Sequence, residues 1–122
     1  MFDTTFVILY VDNPTISASF YEKILGKPPV ENFPTFAMFA LSSGVMLGLW
    51  SHETIAPKAT ASGGGSEVAF TVPNREDVKS TYDQWKKQNL PIIQEPTEMV
   101  FGYTFVGLDP DGHRLRVFCE RK

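Results

Sequence analysis

Residues 108–118 read LDPDGHRLRVF. Asp109-Pro110-Asp111-Gly112 is a turn signal: Pro110 presets one backbone angle, and Gly112 can take the positive φ that returns the chain into a strand. In that strand, alternation sets His113, Leu115 and Val117 on one face and Arg114, Arg116 and Phe118 on the other. An unpaired charge at a half-buried strand position costs on the order of several kcal/mol, so Arg116 calls for a reason. Immediately upstream, YTFVGL at 103–108 is itself strand-like, and the two runs close a hairpin through the turn.

Working back from this hairpin, the segment 73–91, PNREDVKSTYDQWKKQNLP, predicts a helix with Val78, Tyr82 and Trp85 on one stripe, and EVAFTV at 67–72 predicts a strand before it. The first half has the same order. FVILYV at 6–11 is β-rich, and DNPTISASFYEKILG at 12–26 has turn chemistry followed by Ile16, Phe20 and Ile24 at helical spacing, stopped by Gly26. KPPV at 27–30 cannot continue a helix, and TFAMFALS at 35–42 and VMLGLWS at 45–51 form a hairpin through Ser43-Gly44. An offset of 61 residues carries Phe6 onto Glu67, Val11 onto Val72, Asn13 onto Asn74 and Tyr21 onto Tyr82. Two related modules, 1–56 and 67–122, are therefore expected within one domain spanning 1–122. They are joined by PKATASGGGS at 57–66, which has no large apolar residue and reads as a linker.

The composition is that of an ordinary globular chain: 122 residues, 43% hydrophobic and 20% charged. A net charge of −3 with 11 scattered Lys and Arg residues opposes a nucleic-acid partner and an anionic membrane alike. Cys119 is the single cysteine, so no intrachain disulfide forms, and its place on an apolar strand suits a packed thiol. The opening MFDTTFVILYVDN has no basic region, and its apolar run is too short for a signal peptide or a membrane span. A cytoplasmic location is the expectation.

Val11-Asp12-Asn13, then Phe20-Tyr21-Glu22-Lys23-Ile24-Leu25-Gly26, then the hairpin through Asp109-Pro110-Asp111-Gly112 together resemble the vicinal oxygen chelate superfamily, which includes glyoxalases, extradiol dioxygenases and bleomycin resistance proteins. The resemblance spans essentially the whole chain. It implies an α+β fold of two βαββ-type modules whose curled mixed sheets surround a ligand cavity, commonly in a homodimer. It also implies four positions that in the enzymes hold a divalent metal with His, Gln or Glu side chains. Here they are Phe6, Gly48, Glu67 and Arg116. One carboxylate beside a guanidinium does not make a site for a divalent cation, so neither a metal nor any other cofactor is expected. Neither His52 nor His113 is expected to join Glu67.

Strand alternation then names the lining of the implied cavity: Phe6, Ile8 and Tyr10; Met46, Gly48 and Trp50; Glu67, Ala69 and Thr71; Arg114, Arg116 and Phe118. Phe36, Phe101 and Tyr103 are further candidates, from either chain of a dimer. Rings, a glycine gap and two opposite charges suit a flat, partly polar aromatic ligand, with Trp50 stacking and Arg116 reading a carboxylate or carbonyl oxygen. The plainer alternative makes Trp50 a core residue and Glu67 with Arg116 a structural ion pair.

Within the superfamily the resemblance is strongest to metal-free binders of tricyclic aromatic antibiotics. It is carried by LYVDN at 9–13, LGLWS at 47–51, and the segments 76–88 and 95–117. The expectation is a binding protein that sequesters a phenazine-type antibiotic and so confers resistance. The alternatives are a metal-dependent lyase or dioxygenase acting on a small oxygenated substrate, and a metal-independent enzyme using Glu67 as a base. No arrangement for nucleophilic catalysis is present in the sequence.

Overall fold

A computed structural model describes residues 3–61 and 63–121, which form two compact units dividing between positions 62 and 63. The linker reading for 57–66 includes position 62, which lies outside the described residues.

The first unit runs β1 (Phe6–Val11), α1 (Pro14–Leu25), β2 (Glu31–Phe33), β3 (Phe36–Ala40) and β4 (Met46–Ser51). Its sheet has the order β1-β4-β3-β2, with β1 parallel to β4 and the other pairs antiparallel. The second unit repeats this plan with β5 (Glu67–Thr71), α2 (Arg75–Lys87), β6 (Ile92–Met99), β7 (Gly102–Leu108) and β8 (Arg114–Glu120), in the order β5-β8-β7-β6. Each unit is therefore βαβββ, one strand richer than the sequence reading. Among the described residues no helix is long and apolar enough to cross a membrane.

The repeat holds at the level of single atoms. Asn13 and Asn74 are both helix N-caps: the Asn13 Oδ1 accepts from the backbone N–H of Thr15 and Ile16, and the Asn74 side chain accepts from Asp77 N–H. These bonds satisfy donors that the first helical turn would otherwise leave free. Gly26 ends α1 in the left-handed region at φ 73°, where a side chain would be strained.

One helix faces differently from the apolar spacing in its sequence. α1 buries Pro14, Ser17, Ala18 and Tyr21, while Ile16 is 58% exposed and Phe20 and Ile24 are only half-buried. The small side chains of Ser17 and Ala18 sit on the buried face, where they let the helix approach its sheet closely. Tyr21 fills the remaining space beside Phe39, with ring centroids 6.4 Å apart. Shape outweighs hydrophobicity there. In α2 the expected stripe holds: Val78 and Trp85 are buried and Tyr82 half-buried, with Tyr82 and Trp85 each edge-on to Phe105 of β7.

Both strands absent from the sequence reading lie at sheet edges. β2 has three residues. β6 contains Pro96, and its pairing with β7 shifts register between Gln94 and Thr97. A proline cannot donate to a ladder but is tolerated at an edge or a bulge. The glycine run also has a packing role at one position: a Cβ on Gly63 would lie 2.7 Å from His113 N and 2.9 Å from Asp111 O, both backbone atoms in the segment 109–113 that forms and leaves the turn.

Candidate functional site

Among the described residues each sheet packs one face on its own helix, and its opposite face carries no helix of the same unit. In the first unit the helix-side positions Leu9, Val11, Ala37, Phe39, Leu47 and Leu49 are buried. The opposite face carries Phe6, Tyr10, Phe36, Met46, Gly48 and Trp50, aligned by the pairings Phe6↔Met46, Tyr10↔Trp50 and Phe36↔Trp50. Six of the sequence-predicted site residues are thus brought onto one surface, where Phe6 and Tyr10 are exposed and Trp50 is half-buried.

Gly48 does not leave an open gap. The ring of Phe36 lies over it, so a Cβ at position 48 would meet two Phe36 ring carbons at 3.2 Å and Ile8 Cγ1 at 3.4 Å. Trp50 holds that ring edge-on, with centroids 6.1 Å apart and planes at 88°. A glutamate in place of Gly48 would have to displace Phe36.

In the second unit the helix-free face centres on Arg116. Its Nε donates to Glu67 Oε1 at 2.6 Å, and its Nη1 donates to Gln94 Oε1 at 3.2 Å and to Thr104 Oγ1 at 3.1 Å. Thr104, fully buried, in turn donates a hydrogen bond from its hydroxyl to Val117 O at 2.9 Å. The guanidinium carbon lies 5.7 Å from the Phe101 ring centroid, and Phe101 packs edge-on to Phe118. Arg116 has a side-chain exposure of 16% and Glu67 of 35%. The charge is paired and hydrogen-bonded, which is what its half-buried position demands.

Gln94 and Thr104 were missed by the sequence reading. Thr104 is visible in hindsight as the polar residue in YTFVGL that falls on the Arg116 face, opposite Phe118. Gln94 gave no such signal, because the edge strand that carries it did not read as a strand.

Arg116→Leu is expected to lower the unfolding free energy by about 1–3 kcal/mol, since three acceptors lose their donor, although water reaches Glu67 and takes over part of its solvation. The double change with Glu67→Leu is expected to recover part of that loss. A double-mutant cycle by denaturant unfolding measures the coupling, and strict additivity would mean the pair contributes nothing to stability.

Tyr103 is not brought to this face. It points to the helix side, where the Arg75 guanidinium stacks on its ring at 3.9 Å from the centroid while also pairing with Glu98. Both line a pocket of about 470 Å³ at the end of the sheet where α2 begins, with Gly102, Cys119 and Arg121 among its other walls.

His113 also lies on the helix side, buried, with Nδ1 2.9 Å from Asp109 Oδ2. The hydrogen bond to Asp109 holds the imidazole above the usual histidine range, helped by the charges of Asp109 and Asp111 and opposed by burial. Asp109 Oδ1 meanwhile accepts the backbone N–H of both Asp111 and His113. Asp109, Asp111 and His113 place possible ligand atoms within 4.8 Å of one another, but Asp109 spends both oxygens on holding the turn. His52 is on the surface beside Asp12.

The family model of the glyoxalase/bleomycin resistance protein/dioxygenase superfamily matches residues 4–117. The chain belongs to this superfamily. It is 36% identical over 115 residues to the phenazine antibiotic resistance protein EhpR of Enterobacter agglomerans, covering 90% of this chain and 86% of that one. A solution NMR structure of a protein from Agrobacterium tumefaciens matches over the full length of both chains, with 49% identity and a TM-score of 0.92. A glyoxalase-related enzyme from Fulvimarina pelagi shares the fold, with a TM-score of 0.87 at 19% identity, covering 98% of this chain and 89% of that one.

The divalent metal implied by the superfamily resemblance does not fit the residues present. Of the four positions, Phe6 and Gly48 offer no donor, Arg116 is a cation, and Glu67 Oε1 already accepts from Arg116.

Proposed function

We propose that the protein binds a flat aromatic small molecule of the phenazine class and protects by sequestering it, without a metal. The observation that carries this reading is the replacement of the metal-ligand set by an aromatic surface and a hydrogen-bonded arginine. Phe36 seated over Gly48 and edge-on to Trp50 makes an apolar platform. Arg116 with Glu67, Gln94 and Thr104 makes a polar cluster in the other unit. Within that second unit the rings of Phe101 and Phe118 lie beside the cluster, so rings for stacking and a few fixed polar groups, which aromatic ligands require, occur together there. The similarity to EhpR supports the ligand class and the role in antibiotic resistance. A metal-dependent lyase or dioxygenase would need donors that these positions lack.

The test is a fluorescence titration with phenazines, combined with recovery of each compound by mass. The chain has two tryptophans, and Trp85 is buried under its helix against Phe70 and Phe105, so Trp50 is the reporter open to a ligand. Saturable quenching with full recovery of the compound supports sequestration; disappearance of the compound would overturn it in favour of catalysis. By calorimetry, Trp50→Ala is expected to weaken binding by about 0.5–1.5 kcal/mol beyond the lost area, with the fold retained. A large fall in thermal midpoint with unchanged affinity would make Trp50 a core residue instead.

A further inference from the structure

We infer that Glu67 sets the charge preference of the site, so that the ligand's polar edge is an uncharged hydrogen-bonding group, a carboxamide or ring carbonyl, and not a carboxylate. This rests on the proposed binding of an aromatic ligand and narrows its chemistry. A lone arginine in an apolar surrounding would favour a carboxylate through a two-pronged ion pair. Arg116 is not in that state. Its Nε is committed to Glu67 Oε1 at 2.6 Å and its Nη1 to Gln94 and Thr104. Among the described residues Nη2 makes no hydrogen bond. It is not sealed off either, since no buried side-chain nitrogen or oxygen there lacks a partner.

What remains for a ligand is the Nη2 amino group, with its two N–H donors, on a guanidinium whose charge is already met. The second oxygen of Glu67 likewise makes no hydrogen bond among the described residues, and that side chain is 35% exposed. The pair therefore offers a donor and an acceptor with nearly cancelled charge. A carboxamide satisfies such an edge by accepting from Nη2. A carboxylate brings a second negative charge to a guanidinium that already has one, and Glu67 repels it.

The experiment compares phenazine-1-carboxamide with phenazine-1-carboxylate, two probes of the same shape, by calorimetry at neutral pH and low salt. The wild-type protein is expected to favour the carboxamide. Glu67→Gln keeps an oxygen acceptor for Arg116 Nε but removes the charge, and is expected to shift the carboxamide-to-carboxylate affinity ratio about tenfold toward the carboxylate. Gln94→Glu adds a charge beside Nη1 and is expected to shift the ratio the other way, which keeps the inference testable should the first variant fold poorly.

Ratios unmoved in both variants, or a wild type that favours the carboxylate, would overturn the role of Glu67 while leaving aromatic binding intact. Failure of the wild type to bind either probe and unsubstituted phenazine would remove the proposed function itself, and this inference with it.

Discussion

Phe105→Ala is expected to lower the unfolding free energy of the protein by about 3–5 kcal/mol, a large part of what holds a small domain together. Phe105 is fully buried in the middle of β7. Its ring meets Tyr82 at 5.4 Å and Trp85 at 5.2 Å, both edge-on, so it is the main bearing between α2 and its sheet. Truncation leaves a cavity that neither ring can fill without leaving its own contacts, and the cost is the lost transfer energy plus that of the void. Chemical denaturation measures it. A loss below about 1 kcal/mol would mean that the helix settles onto the sheet without this residue. Because Phe105 faces the helix, the folded fraction should keep its affinity for an aromatic ligand, the opposite of the pattern expected for Trp50→Ala.

The second large effect is expected from Asp109→Ala, at about 3–5 kcal/mol, the usual cost of removing one member of a buried ionic pair. The Asp109 side chain has no exposure, and it holds two backbone N–H groups of its own turn as well as His113. Its pH dependence separates this role from mere packing. In the wild-type protein the raised pKa of His113 means that the folded state holds the proton more tightly than the unfolded one. The pair's contribution is therefore full below the unfolded value of about 6.5 and is lost as pH rises through the higher folded value.

In the variant the strongest cause of that shift is gone, and burial, the next in strength, disfavours the imidazolium. Stability should then fall on acidification instead of on alkalisation. Thermal midpoints between about pH 5 and 9, read beside the imidazole chemical shifts of His113, decide the point. Parallel pH profiles for the two proteins would show that Asp109 acts on the turn alone.

How much could be read from the chain without its fold follows from how local each signal is. The hairpin 103–118 was legible because the Asp-Pro-Asp-Gly turn and strict alternation lie within a few residues, and alternation alone placed Arg116 and His113 on opposite faces. The repeat was legible because equivalent caps, Asn13 and Asn74, serve equivalent helices. That Phe6, Gly48 and Arg116 carry no metal-ligating group was legible too, since ligation depends on residue type. β2 and β6 were not, because edge strands are bound from one side only and carry weak patterns; Pro96 argued against a strand that its bulge tolerates.

The buried face of α1 also escaped the sequence, because Ser17 and Ala18 are chosen for closeness of approach, which hydrophobic spacing does not register. By itself, then, the sequence determined the order of the elements other than β2 and β6, the two-module plan and which face of β8 each side chain takes, all consequences of chain geometry over neighbouring residues. Only the tertiary structure decided what Arg116 touches, that Phe36 closes the gap at Gly48, and that Tyr103 turns from the Arg116 face toward Arg75. Those contacts join residues distant in sequence, and which of several possible partners a side chain takes depends on strand register and packing that no local pattern encodes.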